Sequence, residues 1–361
     1  MADSATDLLA GMALDAPGSL SEREELRALG RVLKAHGARY SSHIRDESHA
    51  VHEAVAEAID IGEQCGVHVQ IAHMKLSGTD SWGQADRLLS VIDAARSRGV
   101  DVHGDQYPYD WATNPLRFLL PTWLHEGGIP ATLERLADPY VRSRIRQKIA
   151  EVGFNNFGQI DSWADIRIAI SPRGAAEPGR TIEEIARERR CDPLDAVCDV
   201  IIADKGATRI VVRSMSEADV RAIAANPSAL VGSDGPCVAP YGITGQGKPH
   251  PRLYGTFPRL IVHYARDLGL LTLPQAIAKM TGGAAAALGL ADRGTLGEGQ
   301  AADVVLFDPA TIIDRSTYDD PHQYPAGIGT VIVNGTVVID GGEHTGALPG
   351  RLLRRRGTVL A

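Results

Sequence analysis

Three short stretches decide the fold: residues 38–47, ARYSSHIRDE; residues 67–75, VHVQIAHMK; and residues 100–109, VDVHGDQYPY. Each opens on a β-prone run and breaks into polar residues at its carboxyl end. Between them lie patterns of helical period. Residues 22–36 carry Leu26, Leu29, Val32 and Leu33 on one face; residues 48–64 carry Val51, Val55, Ile59 and Ile61; Gln84–Arg98 repeats the pattern. Gly37, Gly66 and Gly99 stop the three helices just before each strand. The unit recurs about every thirty residues, which predicts parallel strands joined by helical crossovers. The polar groups His43, His73 and Asp105 then share the carboxyl ends of neighbouring strands. In a (β/α) barrel this is the catalytic face. A doubly wound sheet places ligands at the same ends, but no Gly-rich phosphate fingerprint follows any of these strands.

Outward from this core the period fails. Residues 110–205 hold helical stretches at 131–150 and 181–204 and a Gly/Pro-rich patch from Pro172 to Gly179, and read as an insertion. A strand is expected at Ser228–Ser233, ending at Asp234-Gly235. A polar loop follows over 235–251, then helices at 257–268 and 273–288. From about 290 the runs Val304–Phe307, Thr330–Val333 and Val337–Ile339 are short and β-rich, with the hairpin signal Asn334-Gly335 between the last two. The expected fold is α/β: a partial TIM-like (β/α) barrel of later strands over 1–289, with a small C-terminal β appendage over 290–361.

With 37 Lys+Arg against 45 Asp+Glu in 361 residues, the chain carries a net charge of -8, and 44% of it is hydrophobic. An acidic surface is poorly suited to neutralising phosphates, so no nucleic-acid partner is expected. The run Arg354–Arg356 reads as a solvated end. No stretch of about 18 apolar residues predicts a membrane span, and Met1–Leu9 lacks the basic and apolar regions of a signal peptide. Cys65, Cys191, Cys198 and Cys237 form no CxxC pair. That pattern suits a reducing, cytoplasmic setting and four buried or inert thiols.

His43, His73 and Asp234 are the residues best placed for chemistry. The histidines lie thirty residues apart (73 − 43) on successive strands, and imidazole with carboxylate suits zinc. A strand-end His is as readily a hydrogen-bonded residue, and Asp in Ser-Asp-Gly a turn former, so the residues alone leave both readings open. His49 and His52 read as solvated, and His36 as a favourable charge at a helix C-terminus. His103 and Asp105 should share a strand face. Arg252 could clamp a carboxylate, and Lys75 could supply a point charge to an anion or reach solvent. No GxSxG, HExxH or Walker motif occurs.

These stretches together resemble the amidohydrolase superfamily, in particular its D-aminoacylase (N-acyl-D-amino-acid deacylase) branch. The resemblance rests on Ser42-His-Ile-Arg-Asp-Glu, Ile71-Ala-His-Met-Lys, Tyr107-Pro-Tyr, Gly232-Ser-Asp-Gly and His250-Pro-Arg-Leu-Tyr-Gly-Thr-Phe-Pro-Arg. Arg293-Gly-Thr-Leu-Gly-Glu-Gly-Gln-Ala-Ala-Asp, Val331-Ile-Val-Asn-Gly and Thr345-Gly-Ala-Leu-Pro-Gly-Arg extend it toward the C-terminus. It implies that His43 and His73 are zinc ligands on the fifth and sixth barrel strands. Asp234, at the end of the eighth, would be both ligand and general base. Lys75, Tyr107 and Arg252 would hold the carboxylate of a small N-acyl amino acid. The implied reaction is hydrolysis of an N-acyl-D-amino acid to a carboxylate and a D-amino acid. The alternatives are a non-catalytic remnant or interaction subunit and, among enzymes, a cyclic-amide hydrolase of the hydantoinase or dihydroorotase kind.

The chain departs from that pattern at its start. The family's His-x-His on a first strand is missing, and so is a cysteine before the SHIRDE motif. Asp15 stands where the family usually has a substrate-binding Tyr. The expectation is therefore a chain truncated to the second half of a barrel, incomplete on its own. Its site would be finished by residues upstream of Met1 or by another chain, and its open edges would favour self-association.

Overall fold

A computed structural model of the chain describes the backbone of Asp7–Gly11, Gly18, and residues 21–353. Asp15 and Arg354–Arg356 lie outside the described residues. The first half alternates strand and helix: β1 (Asp7–Gly11), α1 (Arg23–Ala35), β2 (Arg39–His43), α2 (Val51–Cys65), β3 (Val69–Ile71), α3 (Ala85–Ser97) and β4 (Val102–Gln106). Then come β5 (Trp111–Pro115), α4 (Gly128–Leu136), α5 (Pro139–Val152), β6 (Ile166–Ile170), α6 (Ile182–Arg189), α7 (Pro193–Ala203), β7 (Arg209–Arg213), α8 (Glu217–Ala225) and β8 (Ala229–Val231). The chain closes with α9 (Arg252–Arg259), which runs on as a wider π-helical segment over Leu260–Asp267, then α10 (Leu273–Met280), α11 (Gly282–Leu288), β9 (Val304–Phe307), β10 (Ile328–Val333), β11 (Thr336–Asp340) and β12 (Glu343–His344).

The expected run of parallel strands is present. Five strands pair in the order β1-β2-β3-β4-β8, every pair parallel. Alternation along them sorts the side chains. Tyr40, Val69, Ile71 and Val102 join Val55, Ile59, Leu88 and Ile92 of α2 and α3 in one buried core. Arg39, Ser41, His43, Gln70, His103 and Asp105 fall on the opposite face, the interior side of the barrel. After β4 the chain leaves this sheet. Residues 110–213 build a second sheet of order β5-β7-β6, and β8 returns beside β4. This excursion is why the period breaks after Tyr109. It has its own core, with Leu116, Leu119, Ile166, Ile168, Val197 and Ile210 fully buried.

Several elements differ from the sequence expectation for identifiable local reasons. The stretch 131–150 is two helices, because Asp138 caps the second through Tyr140 N and Pro139 takes its first turn. The stretch 181–204 divides likewise at Asp192-Pro193. The stretch 273–288 breaks at Thr281, where φ -128 and ψ -94 are not helical. The Asn334-Gly335 hairpin forms as expected. Both residues have positive φ (48° and 80°), as the tight turn between β10 and β11 requires. The antiparallel sheet β12-β11-β10-β9 meets the π-helical segment through Ile261, Val262, Ile312, Phe307 and Ile328. No helix among the described residues is long and apolar enough to cross a membrane.

Candidate active site

The parallel strands deliver their polar ends to one rim. His43 is the last residue of β2, His73 follows β3 by two residues, Tyr107 follows β4, and Asp234 follows β8 by three. His73 and Asp234 both adopt left-handed backbone, with φ of 39° and 46°. Such a conformation persists in a non-glycine residue only when its surroundings hold it. Asp105 does this at His73. Its Oδ1 accepts the His73 N–H (2.8 Å), its Oδ2 accepts from Gln70 Nε2 (2.6 Å), and its carbonyl accepts the Met74 N–H (2.7 Å).

The two imidazoles converge. His73 Nε2 is in contact with His43 Nδ1, and the ring centres lie 4.3 Å apart. Burial, then the neighbouring His73, push the His43 pKa down to about 4, so this ring is neutral and keeps a lone pair at ordinary pH. On the far side of His73 sits Glu47, a buried residue that spacing along the chain does not single out. One oxygen accepts from Lys75 Nζ (2.7 Å) and lies 3.0 Å from His73 Nδ1; the other accepts from Asn156 Nδ2 (2.9 Å). Burial alone would raise the Glu47 pKa, but the Lys75 ammonium and His73 hold it well below the ordinary carboxylate range. Glu47 and the Lys75 ammonium thus both stand behind the Nδ1 edge of His73, whose Nε2 edge is turned to His43. This is the arrangement a metal-binding histidine takes when a carboxylate stands behind it.

Lys75 is therefore not a free point charge. Its ammonium is buried, lies 2.5 Å from His73 Nδ1, and sits 5.6 Å from the Tyr107 ring centre. Arg252 approaches the same ring from elsewhere, with its guanidinium carbon 4.3 Å from the centre. Its Nη2 donates to both Oδ2 (2.8 Å) and the carbonyl (2.6 Å) of Asp234. Its Nε–H is buried with no partner among the described residues. The six residues singled out from sequence thus gather at one rim. Asp234, however, is turned to Arg252, and the set His43, His73, Asp234 does not close with all donor atoms within 4.8 Å of one another.

His250 explains how Arg252 is held. The ring is buried, its Nε2–H donates to the Trp111 carbonyl (2.9 Å), and its Nδ1 accepts the Arg252 N–H (3.0 Å). Burial, then Arg252, keep its pKa well below the ordinary 6.5. The unfolded chain takes up this proton as pH falls through 6.5, whereas the folded chain resists it. The stability contributed by neutral His250 is therefore complete above that value and is lost below it. In ¹⁵N-labelled protein the His250 ring should remain the Nε2–H tautomer at pH 5.5; an imidazolium spectrum there would contradict this assignment.

One expectation is corrected. His52 is not solvated: it is 7% exposed, and its Nε2 contacts Gln84 Oε1 at 3.0 Å across the interface of α2 and α3. All four cysteines are free thiols: Cys65 and Cys198 are buried, Cys191 is half-buried, and Cys237 is exposed on the loop after Asp234.

With this geometry in view, the likenesses to known proteins are informative. Residues 19–339 match the model of the amidohydrolase family. An N-acyl-D-glutamate deacylase of Alcaligenes xylosoxydans xylosoxydans is 37% identical over 343 residues, covering 95% of this chain and 60% of that protein. A D-aminoacylase of the same organism is 35% identical, covering 94% and 59%. Among solved structures, the N-acyl-D-glutamate deacylase of Bordetella bronchiseptica, complexed with zinc and a phosphonate mimic of the tetrahedral intermediate, superposes with a TM-score of 0.71. It is 32% identical, covering 90% of this chain and 59% of that one. The chain thus spans about three fifths of the length of these relatives. The match runs through both the parallel strands that carry the rim residues and the C-terminal sheet, and on it the chain belongs to the amidohydrolase family.

Proposed function

We propose that the protein hydrolyses the amide bond of small N-acyl-D-amino acids, releasing a carboxylate and a free D-amino acid. The observation that carries this reading is the pair of converging imidazoles beside a carboxylate–guanidinium pair whose buried Nε–H is unspent. The donor set suits zinc, because two imidazole nitrogens meet and Glu47 stands behind one of them. His43 and His73 would hold the ion, with Asp234 as a further ligand. Bound there, zinc supplies a Lewis acid that polarises the acyl oxygen and lowers the pKa of water.

The chain's own residues account for the rest. Asp234 accepts the proton of the attacking water and passes it to the leaving amine nitrogen, so that carboxylate and amine separate with atoms and charge balanced. Arg252 receives the substrate carboxylate through its Nε–H, and the face of Tyr107 keeps the guanidinium plane in place. Lys75 adds positive potential at the same wall. The free thiols at Cys65, Cys191, Cys198 and Cys237 agree with a cytoplasmic setting.

The test is turnover of N-acetyl-D-glutamate and N-acetyl-D-methionine against their L-enantiomers and a cyclic amide. Only the D-series should react. Arg252→Lys should lower kcat/KM by about 1.5–3 kcal/mol, the worth of a hydrogen bond to a charged group, mostly through KM. Preferential turnover of the cyclic amide would overturn the reading.

A further inference from the structure

A second group of ligand-type side chains lies at the opposite end of the same strands. His68 precedes β3, Asp101 precedes β4, and His103 is the second residue of β4. Val69 pairs with Val102, so His68 stands level with Asp101, and the two-residue step from Asp101 to His103 keeps both on one face. Asp101 bridges the rings: Oδ2 is 3.0 Å from His68 Nδ1, and Oδ1 is 3.6 Å from His103 Nδ1. The imidazoles stack with centres 5.3 Å apart and planes inclined by 27°. One ligand atom from each residue lies within 4.8 Å of the others, and among the described residues no other His, Cys, Asp or Glu set does so.

We propose that His68, Asp101 and His103 form a binding site for a divalent transition metal, distinct from the rim that holds His43 and His73. Three features support it. The donor set is two nitrogens and one carboxylate, the number and kind that zinc takes when one position is left to water. His103 Nδ1 is buried and makes no hydrogen bond among the described residues, a costly state for an imidazole nitrogen unless it is spent on a ligand. The imidazole side chains are 5% and 23% exposed while Asp101 is 60% exposed, so an ion can enter from solvent and finish among shielded nitrogens. The surroundings also choose the metal. Arg96, which donates to the Val102 carbonyl (2.7 Å), and Arg39 both act on His103 with positive charge. They oppose a hard cation held by charge alone, and favour a metal that bonds through nitrogen, such as zinc or cobalt. An ion here would tie β3 to β4 at their N-terminal ends and stabilise the fold by mass action.

The experiment titrates Zn²⁺ and Co²⁺ alone into metal-free full chain, with stoichiometry read by dialysis and Co²⁺ geometry by visible absorption. The wild type should bind one ion more than Asp101→Asn. Asp101 is exposed, so its variant keeps the metal-free melting temperature, which separates ligand loss from misfolding. Zn²⁺ should raise the melting temperature of the wild type more than that of Asp101→Asn. The same difference should persist between His43→Ala and its Asp101→Asn double variant, so a failure at the rim does not mask the result. Equal stoichiometry and equal stabilisation in wild type and Asp101→Asn would overturn the proposal.

Discussion

Asp234→Asn should lower kcat for N-acyl-D-amino-acid hydrolysis by about 10²–10⁴, the range lost when a positioned general base is removed. The substitution is nearly isosteric. Asparagine tolerates the left-handed backbone that Asp234 occupies at φ 46°. Its amide oxygen can still accept from Arg252, which now reaches both the Asp234 side chain and its carbonyl. What disappears is the negative charge, and with it the capacity to take a proton and to serve as an anionic ligand. KM should therefore move far less than kcat, a split that a merely structural role would not produce. A variant keeping more than half of the wild-type kcat would place the base elsewhere.

Glu47→Ala should cost about 3–5 kcal/mol of folding stability in urea titrations, the price of leaving one member of a buried ion pair alone. Lys75 is 4% exposed and its ammonium has Glu47 as its carboxylate partner at 2.7 Å. Asn156, from the segment after α5, would lose its side-chain acceptor as well. Replacing both charges, as Glu47→Ala with Lys75→Met, should recover much of the loss, because no uncompensated charge then remains buried. The sign of the pH dependence follows from the same pair. The Glu47 carboxyl is held below its ordinary 4.5, so its contribution is complete above that value and is lost as acid protonates it. A Glu47→Ala protein as stable as wild type would mean that Lys75 has another partner.

The period of the first half made β2, β3 and β4 legible, along with the residues at their ends, because each strand follows a glycine-stopped helix and ends in polar sequence. Alternation also placed His103 and Asp105 on one face. Glu47 lies within the SHIRDE motif, but its role is not legible from that motif. Its partners come from Lys75, 28 residues on, and Asn156, 109 residues on, and only the folded chain brings them together. The burial of His52 was hidden for the same reason, since it depends on α3 packing against α2. The breaks at Asp138-Pro139 and Asp192-Pro193 carried a signal, an N-cap acid before proline, that helical period alone passes over. The His68–Asp101–His103 group depends on the register between β3 and β4, which residue spacing does not supply.

The claim that His43 and His73 hold a metal that serves the reaction is tested most directly by one paired measurement: bound zinc per chain and turnover of N-acetyl-D-glutamate, for wild type and His43→Ala/His73→Ala. The double variant should bind one zinc fewer and lose hydrolysis while remaining folded by circular dichroism. A folded double variant with undiminished zinc, or with undiminished turnover, would contradict it.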